Sequence, residues 1–550
     1  MMTLPSSCAV LVVGTGNAGL SAAISAAKHL HSTLPSSEKQ RILVIDKCPA
    51  TWAGGNTYFT AGAYRTAHAG LEALLPIVNN VAHSSKKIIP RHNASSSAST
   101  VPPDASQIDL PPYSAGAFHA DLMRVTQGRC DQDLARILVS DSWPAVWWLE
   151  DLGVHFQLSY NRQAYLVDGR HKFWGGLALK TEDGGKGLVQ DLLGAAERHG
   201  VEIVYEAALQ RLVKDEKTGA VLGAVVRFEG RDVLVNAGAV ILAAGGFEAN
   251  PRMRAQYLGP GWDLALVRGT PYNTGEGLEI AMRDADAKQA GNWSGCHSVA
   301  WDAHAPPNGG DRAVTNEFTK SGYPLGIMVN VEGKRFVDEG VDFRNYTYAR
   351  FGRAILNQPG GVAFQVWDAR TSALLRGEEY RDEVVKKITS GSREELAAKC
   401  QEDGLSSIDS FLRTVERYND AVYAHRKTHP HLSFNPAVKD GLSTRPGALD
   451  IPKSNWALPL DKPPFLAVKV GCGITFTFGG LSVDPETAAV ISTAESKPME
   501  GLYAIGEMLG GLYYGNYPGG SGLTAGTVWG RRAGEDAARR AVKKSTGAKL

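Results

Sequence analysis

The stretch that most constrains this chain is "CAVLVVGTGNAGLSAAISAA", residues 8–27. Ala9 to Val13 is an unbroken apolar run, glycines follow at 14, 16 and 19, and an alanine-rich segment then predicts a helix. A GxGxxG between a buried strand and a helix start has a physical reading. Gly14 allows a tight turn, Gly16 lets the backbone approach a pyrophosphate, and Gly19 packs helix against strand. Asn17 and Ala18 open the helix, whose free N–H groups face phosphate oxygens. "RILVID" (41–46) predicts a second short strand ending in Asp46, placed to accept ribose hydroxyls, with Lys47 beside it. The unit is a β-α-β built for a dinucleotide; without a ligand, the same residues would be a structural turn in an α/β core.

The chain has 550 residues, enough for two or more domains. Its 58 basic and 57 acidic side chains give a net charge of +1, so neither nucleic acid nor an acidic membrane surface is an expected partner. Six scattered cysteines form no CxxC or CxxCH, which argues against zinc, iron–sulfur and covalent haem and leaves no metal site expected. That usage suits a reducing compartment. No apolar run is long enough to span a bilayer, and the N-terminal run lacks the basic segment of a secretory signal. Ala548-Lys549-Leu550 differs from the peroxisomal S-K-L address by one small residue. The expected location is therefore peroxisomal or cytoplasmic.

Residues 83–115 are rich in serine and proline and read as an inserted surface loop. Residues 118–152 read as helical in two or three amphipathic pieces, and "GGKGLVQDLLGAAERHG" as a helix stopped by Gly200. Residues 201–246 predict a hairpin followed by a buried strand ending in Gly245-Gly246. Residues 295–474 change character, with mixed helices and strands; from 475 the chain returns to short strands and one last helix. The expected fold is α/β: a Rossmann-like domain of the two-dinucleotide-binding type, residues 1–294 and 475–550, interrupted by an α+β domain at 295–474.

Three further stretches decide between FAD and NAD. "WAGGNTYFTAG" brings Gly54, Gly55, Asn56 and Thr57 directly after the second strand, where a flavin would extend. "ILAAGG", with Ala244, Gly245 and Gly246, resembles the A-T-G-G strand end of two-dinucleotide-binding flavoproteins. "GLYAIGE" places Glu507 after a strand, suited to a flavin ribitol. Leu209, just past "VEIVYE", completes the candidate set. "NYPGGSGLTAG" then supplies a helix start at which backbone N–H groups of Ser521, Gly522 and Leu523 face N1 and the C2 carbonyl of a flavin. A nicotinamide enzyme would not need the glycines at 54, 55 and 519–522. An NADPH-driven reductase would want a second GxGxxG in mid-chain, and there is none.

With "WAGGNTYFTAGAYR", "GKRFVDEGVDFRNYTYARFGR", "GITFTFGG" and "NYPGGSGLTAG", the chain resembles the fumarate reductase/succinate dehydrogenase flavoproteins over nearly its whole length, and within them the tricarballylate dehydrogenase-like flavoproteins. The resemblance implies a flavin domain interrupted by a capping domain, with a small-molecule substrate between them. It implies redox chemistry at a CH–CH or C=C bond beside a carboxylate, with hydride passing to or from flavin N5. Arg344, one residue later after "RFVDE" than in fumarate reductases, corresponds to their proton-transfer arginine. His297, in "CHS", corresponds to the histidine of their "HPT".

Two departures matter. Thr475-Phe476 stand where fumarate reductases carry a carboxylate-binding histidine, and Tyr517 stands where they carry an arginine. "NYPGGSG" also resembles the "YPGPG" of 3-ketosteroid Δ1-dehydrogenases, in which a tyrosine polarises a ketone, so an enone or ketone substrate is the alternative. The turn "GGNT" lacks the histidine that binds flavin covalently in succinate dehydrogenases, so FAD is expected to be non-covalent. With no haem or cluster ligands, reoxidation is expected from a separate acceptor: a carrier protein, a quinone or oxygen.

Overall fold

The apolar run before Gly14 forms β1 (Ser7–Val13), and the alanine-rich segment forms α1 (Asn17–Thr33). Next comes β2 (Ile42–Ile45), parallel to β1 with Val10 opposite Ile42 and Val13 opposite Ile45. All four residues of β2 are buried, as expected of a strand covered on both faces. β3 (Glu202–Val204) extends the parallel sheet beyond β2. β4 (Ala208–Lys214), β5 (Val221–Phe228) and β6 (Arg231–Leu242) then form an antiparallel meander. β7 (Ala489–Ile491) and β8 (Pro498–Ala504) are the last strands, β8 parallel to the end of β6. The sheet order is β4-β5-β6-β1-β2-β3, with β8 alongside β6. The computed structural model describes residues 4–34, 40–82, 102–306, 312–445, 447 and 449–547. The tripeptide Ala548-Lys549-Leu550 and residues 83–101 of the expected loop lie outside them.

The structure differs from the sequence reading in the hairpin and in the loop. The arm expected at 201–206 is β3 of the parallel sheet, so the hairpin is made by β4 and β5, and the expected buried strand is the 12-residue β6. Its first half pairs with β5 and alternates in burial, and its end, Ala239 to Leu242, is wholly buried between β1 and β8. The helical stretch 118–152 is in two pieces, within the expected two or three: Ala115–Thr126 and Gln132–Asp151, parted by Gln127 and Gly128 in left-handed conformations. The described remainder of the loop carries a short strand, Ile108–Asp109, and buries Ile108, Leu110 and Tyr113 in the main core.

The C-terminal helix α2 (Ser521–Gly547) lies against α1. Gly526, Gly530 and Gly534 form the contact, and a Cβ on Gly534 would stand 2.2 Å from the Ala22 carbonyl oxygen. Such a stripe lets two backbones approach more closely than larger side chains allow.

A second sheet is organised on the 17-residue strand Phe465–Leu481, which pairs with Gln289–Asp302, Ala363–Trp367, Ile388–Ser390 and the short strand Leu266–Val267. Two of its hydrophobic clusters consist wholly of residues between 300 and 470 in their buried members. The expected boundaries at 294/295 and 474/475 fall inside two strands that pair with each other. Their ladder breaks between Asn292 and Cys296, so it runs from Gln289 opposite Leu481, through the irregularity, to Asp302 opposite Val470.

Candidate active site at the ends of the parallel strands

The C-terminal ends of β1, β2, β6 and β8 lie on one side of the sheet, the edge at which open α/β sheets bind ligands. One elongated cavity runs along it. Gly14, Gly16, Asn17 and Ala18 line its start. Gly14 has φ +114°, a left-handed conformation that a side chain would strain, and a Cβ there would meet the Ala243 oxygen at 2.4 Å. Gly19 stands behind the cavity, where a Cβ would fall 2.0 Å from the Gly14 oxygen. The turn and the helix–strand contact are thus two separate reasons for glycine.

Asp46 follows β2 and lines the cavity. Its Oδ2 accepts from the Thr15 N–H at 2.8 Å and from Thr15 Oγ1 at 2.6 Å, and its Oδ1 accepts from the Cys48 N–H at 3.1 Å. Lys47 also lines the cavity, but its ammonium is engaged, donating to Thr274 Oγ1 at 2.6 Å and to Glu276 at 2.8 Å. Leu209 on β4 closes this end.

The turn after β2 is tied back to α1: Thr57 Oγ1 accepts from the Asn17 N–H at 2.9 Å, and the Gly54 N–H donates to Thr15 Oγ1 at 3.1 Å. Gly55, Asn56 and Thr57 reach the cavity, whereas Gly54 braces the turn from behind. Ala244 and Gly245 line the cavity beyond β6. Gly246 packs where a Cβ would fall 2.1 Å from both Glu507 Oε1 and Thr477 Oγ1.

Glu507 lines the next section, accepting from the Thr477 N–H at 2.6 Å and Thr477 Oγ1 at 3.0 Å. It stands beside Glu248, which burial and the second carboxylate push well above the usual carboxylate range. Sequence reasoning missed Glu248, although it directly follows "AAGGF".

α2 begins at the far end. Gly522 and Leu523 line the cavity. The Ser521 N–H and hydroxyl both bond the Pro518 carbonyl, at 3.1 and 2.6 Å, so Ser521 shapes the turn. Asn17 Nδ2 donates to the Leu523 carbonyl at 2.8 Å, joining the starts of α1 and α2. Two helix N-termini, with N–H groups their own turns cannot use, therefore open on one cavity. Three carboxyl groups, Asp46, Glu276 and Glu507, line the same cavity. A group with ribose hydroxyls and a pyrophosphate at one end and a reducible ring at the other fits this donor set, and the residues present fit FAD.

Beyond α2 the lining changes. His297, Tyr348, Phe476, Tyr513 and Tyr517 form an aromatic end, with the His297 and Tyr517 ring centroids 4.7 Å apart and those of Phe476 and Tyr517 5.0 Å apart. Burial, reinforced by nearby Arg268, lowers the His297 pKa well below its ordinary value, so the ring is neutral. Burial raises the Tyr517 phenol, which keeps its proton. Two arginines that sequence reasoning did not single out, Arg162 and Arg268, also reach this end. His297 Nδ1, Thr319 Oγ1, Arg268 Nε and the Tyr513 hydroxyl are among the buried polar atoms here with no hydrogen-bond partner among the described residues.

Arg344 is placed differently. It opens the short helix Arg344–Tyr346, is buried, donates to the Arg162 carbonyl and lies 5.4 Å from the Trp174 ring centroid. It is not among the cavity-lining residues; it stands one layer behind Arg162.

The family model described as "FAD binding domain" matches residues 77–523. The chain belongs to this family, with the fumarate reductase/succinate dehydrogenase flavoproteins. It is 27% identical over 539 residues to a probable fumarate reductase, Ifc3, of Shewanella frigidimarina (strain NCIMB 400), covering 97% of this chain and 75% of that one. It is 26% identical over 591 residues to the 4-oxocyclohex-2-ene-1-carboxylate 5-dehydrogenase of Sinomonas cyclohexanicum, covering 98% and 95%. The fold matches the open conformation of a flavocytochrome c3 fumarate reductase with a TM-score of 0.68 at 24% identity, covering 98% and 79%. The chain is an FAD-dependent oxidoreductase acting on CH–CH groups. No helix among the described residues is long and apolar enough to cross a membrane.

Proposed function

We propose that this enzyme oxidises or reduces a carbon–carbon bond next to a carbonyl carbon, at the aromatic end of the cavity, with Tyr517 donating to the carbonyl oxygen. The observation that carries this is the unpartnered set of His297 Nδ1, Thr319 Oγ1 and Arg268 Nε. Buried polar groups are nearly always satisfied, so three open ones around one space mark a site for a polar ligand. FAD held in the glycine cradle would supply the two-electron redox chemistry.

The chain's residues do the rest. A neutral phenol donates to an oxygen whose negative charge grows, and in a buried site that bond strengthens as the charge develops. Neutral His297 adds a donor or an acceptor without a charge. Arg344, by analogy the proton-transfer residue, here acts on the Arg162 backbone, and we assign it a positioning role. A relative that acts on a cyclic keto carboxylate supports this reading, because such a molecule offers both a ketone and a carboxylate. A polycarboxylate of the tricarballylate type is the second reading, favoured by Arg162 and Arg268 together at this end. Residues 295–474 are proposed to work as the cap, supported by clusters that draw their buried members from that stretch alone. FAD is proposed to be non-covalent, since the turn at 54–57 carries no histidine. Its reoxidant is proposed to be a separate carrier protein, a quinone or oxygen.

Anaerobic titration of the FAD-loaded protein tests the reaction. A cyclic enone carboxylate, succinate and tricarballylate are added in turn while the flavin band near about 450 nm is followed. Bleaching or re-formation of the band only with the keto compound supports the first reading, and bleaching only with tricarballylate replaces it with the second. Tyr517→Phe is expected to slow turnover of the keto substrate roughly 100-fold with FAD content unchanged; unaltered turnover removes Tyr517 from the mechanism. Acid precipitation that leaves the flavin in the pellet would disprove non-covalent binding.

A further inference from the structure

We infer that Arg268 is the anchor for a carboxylate of the substrate, and that the substrate is an anion at this point of the cavity. The inference rests on the reading above that the aromatic end takes the substrate. Arg268 follows the short strand Leu266–Val267, and its N–H donates to the Ile474 carbonyl at 2.8 Å, which fixes its backbone. The residue is 7% exposed. Nη1 donates to Thr475 Oγ1 at 3.2 Å and Nη2 to Asn316 Oδ1 at 2.8 Å. Both partners are neutral: they orient the guanidinium without compensating its charge.

Several other buried arginines are handled differently, whereas Arg344, outside the cavity lining and also without an ion pair, donates to a backbone carbonyl over the Trp174 ring. Arg335 pairs with Glu339 and Arg376 with Glu379. Arg254 donates to four backbone carbonyls. Arg162, the other arginine of this cavity, is matched by Glu378 at 2.9 Å and Glu379 at 3.5 Å. Arg268 has no carboxylate within ion-pair distance among the described residues, and Arg162 adds a like charge nearby. The acids that line the cavity, Asp46, Glu276 and Glu507, all belong to its cofactor stretch.

Burial and Arg162 lower the Arg268 pKa to about 10, which still leaves it protonated near neutral pH. A buried, charged guanidinium without an anion is costly, and a bound carboxylate removes that cost while occupying the open Nε. A planar guanidinium also matches a carboxylate in geometry. The histidine and arginine absent from the fumarate reductase pattern are thus replaced, for one carboxylate, from a different strand.

The test uses the FAD-loaded full chain with two unreactive probes, cyclohexanecarboxylate and cyclohexanecarboxamide, and reads binding by calorimetry and by perturbation of the flavin spectrum. The carboxylate is expected to bind at least about tenfold more tightly than the amide. Arg268→Met is expected to abolish that preference, and Arg268→Lys to keep part of it. FAD content and thermal midpoint establish that the variants are folded, and the wild-type preference stands as a measurement that needs no variant. Equal affinity for the two probes in the wild type, including no binding of either, overturns the proposal, as does a preference that survives in folded Arg268→Met. Turnover separates this from the reaction itself. Carboxylate preference without redox activity on any keto or unsaturated acid refutes the proposed reaction and keeps the anchor. Turnover with no carboxylate preference does the reverse.

Discussion

Glu248 shows how much a single side chain's position decides at the residue scale. It is fully buried, its Oε1 accepts from Asn273 Nδ2 at 2.6 Å and from Asn56 Nδ2, and the Glu507 carboxyl stands beside it. Two carboxyl groups in contact cannot both ionise cheaply, so one proton stays between them. Burial raises Glu248 well above the usual range and Glu507 to about 7. A carboxyl whose folded pKa is raised binds protons more tightly in the folded than in the unfolded chain. Its stabilising contribution is full below the ordinary carboxylate range and is lost as pH rises through about 7. The thermal midpoint should therefore fall as pH is raised from mildly acidic to mildly alkaline. Glu248→Gln, which donates without ionising, should flatten that fall; identical pH profiles would refute a shared proton. Glu507 was legible because it ends an apolar strand, but its partner was not, since nothing in the local pattern of "GGFEAN" says that the glutamate points inward. Arg268 was hidden for the same reason: one arginine in "LVRGTPYN" reads as a solvated loop residue until the surrounding acids are known. Arg344 was found by its spacing from "RFVDE", but spacing along a chain does not fix which layer of the fold a side chain occupies.

At the scale of elements, what could be read depended on local apolar pattern. β1, β2 and β8 are short apolar runs bounded by turns, and α1 and α2 open at glycines, so all were legible. The strand Phe465–Leu481 was not, because half of it belongs to a motif assigned to the flavin domain and half to the segment before it. Such a strand is recognised only through its partners. The α1–α2 contact was equally non-local, although the glycines that make it were visible at 526, 530 and 534. A Cβ on Gly534 would press into the Ala22 carbonyl at 2.2 Å, against helix backbone that cannot give way cheaply. Gly534→Ala is expected to cost about 1–3 kcal/mol, seen as a lower thermal midpoint of apoprotein and FAD-loaded protein alike. Gly522→Ala differs in kind. Its Cβ would meet only Phe476, at 3.9 Å, but the residue lines the cavity. It should leave the apoprotein midpoint unchanged and weaken FAD binding. Parallel behaviour of the two variants would mean that the glycines at the start of α2 serve packing rather than the cofactor.

At the scale of the whole molecule, the question is what holds the two sheets in register across the cavity. The paired strands Gln289–Asp302 and Phe465–Leu481 form one connection, and their two irregularities flank the pair Cys296–His297. A second connection is made of side chains. Asp121, on the helix Ala115–Thr126, accepts from Tyr346 at 2.6 Å and Tyr113 at 2.7 Å, and lies 3.4 Å from Arg65. Arg65 is fully buried and donates to the Gly519 carbonyl at 2.9 Å, directly before α2. Arg124, one turn on from Asp121, pairs with Asp342. Tyr346 and Asp342 belong to the proposed cap, and Arg65, Tyr113, Asp121 and Arg124 to the flavin side. Asp121→Ala removes the acceptor of two phenols and leaves the Arg65 charge uncompensated; breaking a buried pair from one side costs about 3–5 kcal/mol, and the partial exposure of Asp121 places this case at the lower end. Because these groups bridge the two sides, the loss should appear as opening rather than global unfolding. Hydrogen exchange in residues 342–356 should quicken, KM should rise, and FAD should remain bound, since the glycine cradle is untouched. Unchanged exchange in that segment would mean that the paired strands alone hold the cap, and the clasp would then be only a local surface feature.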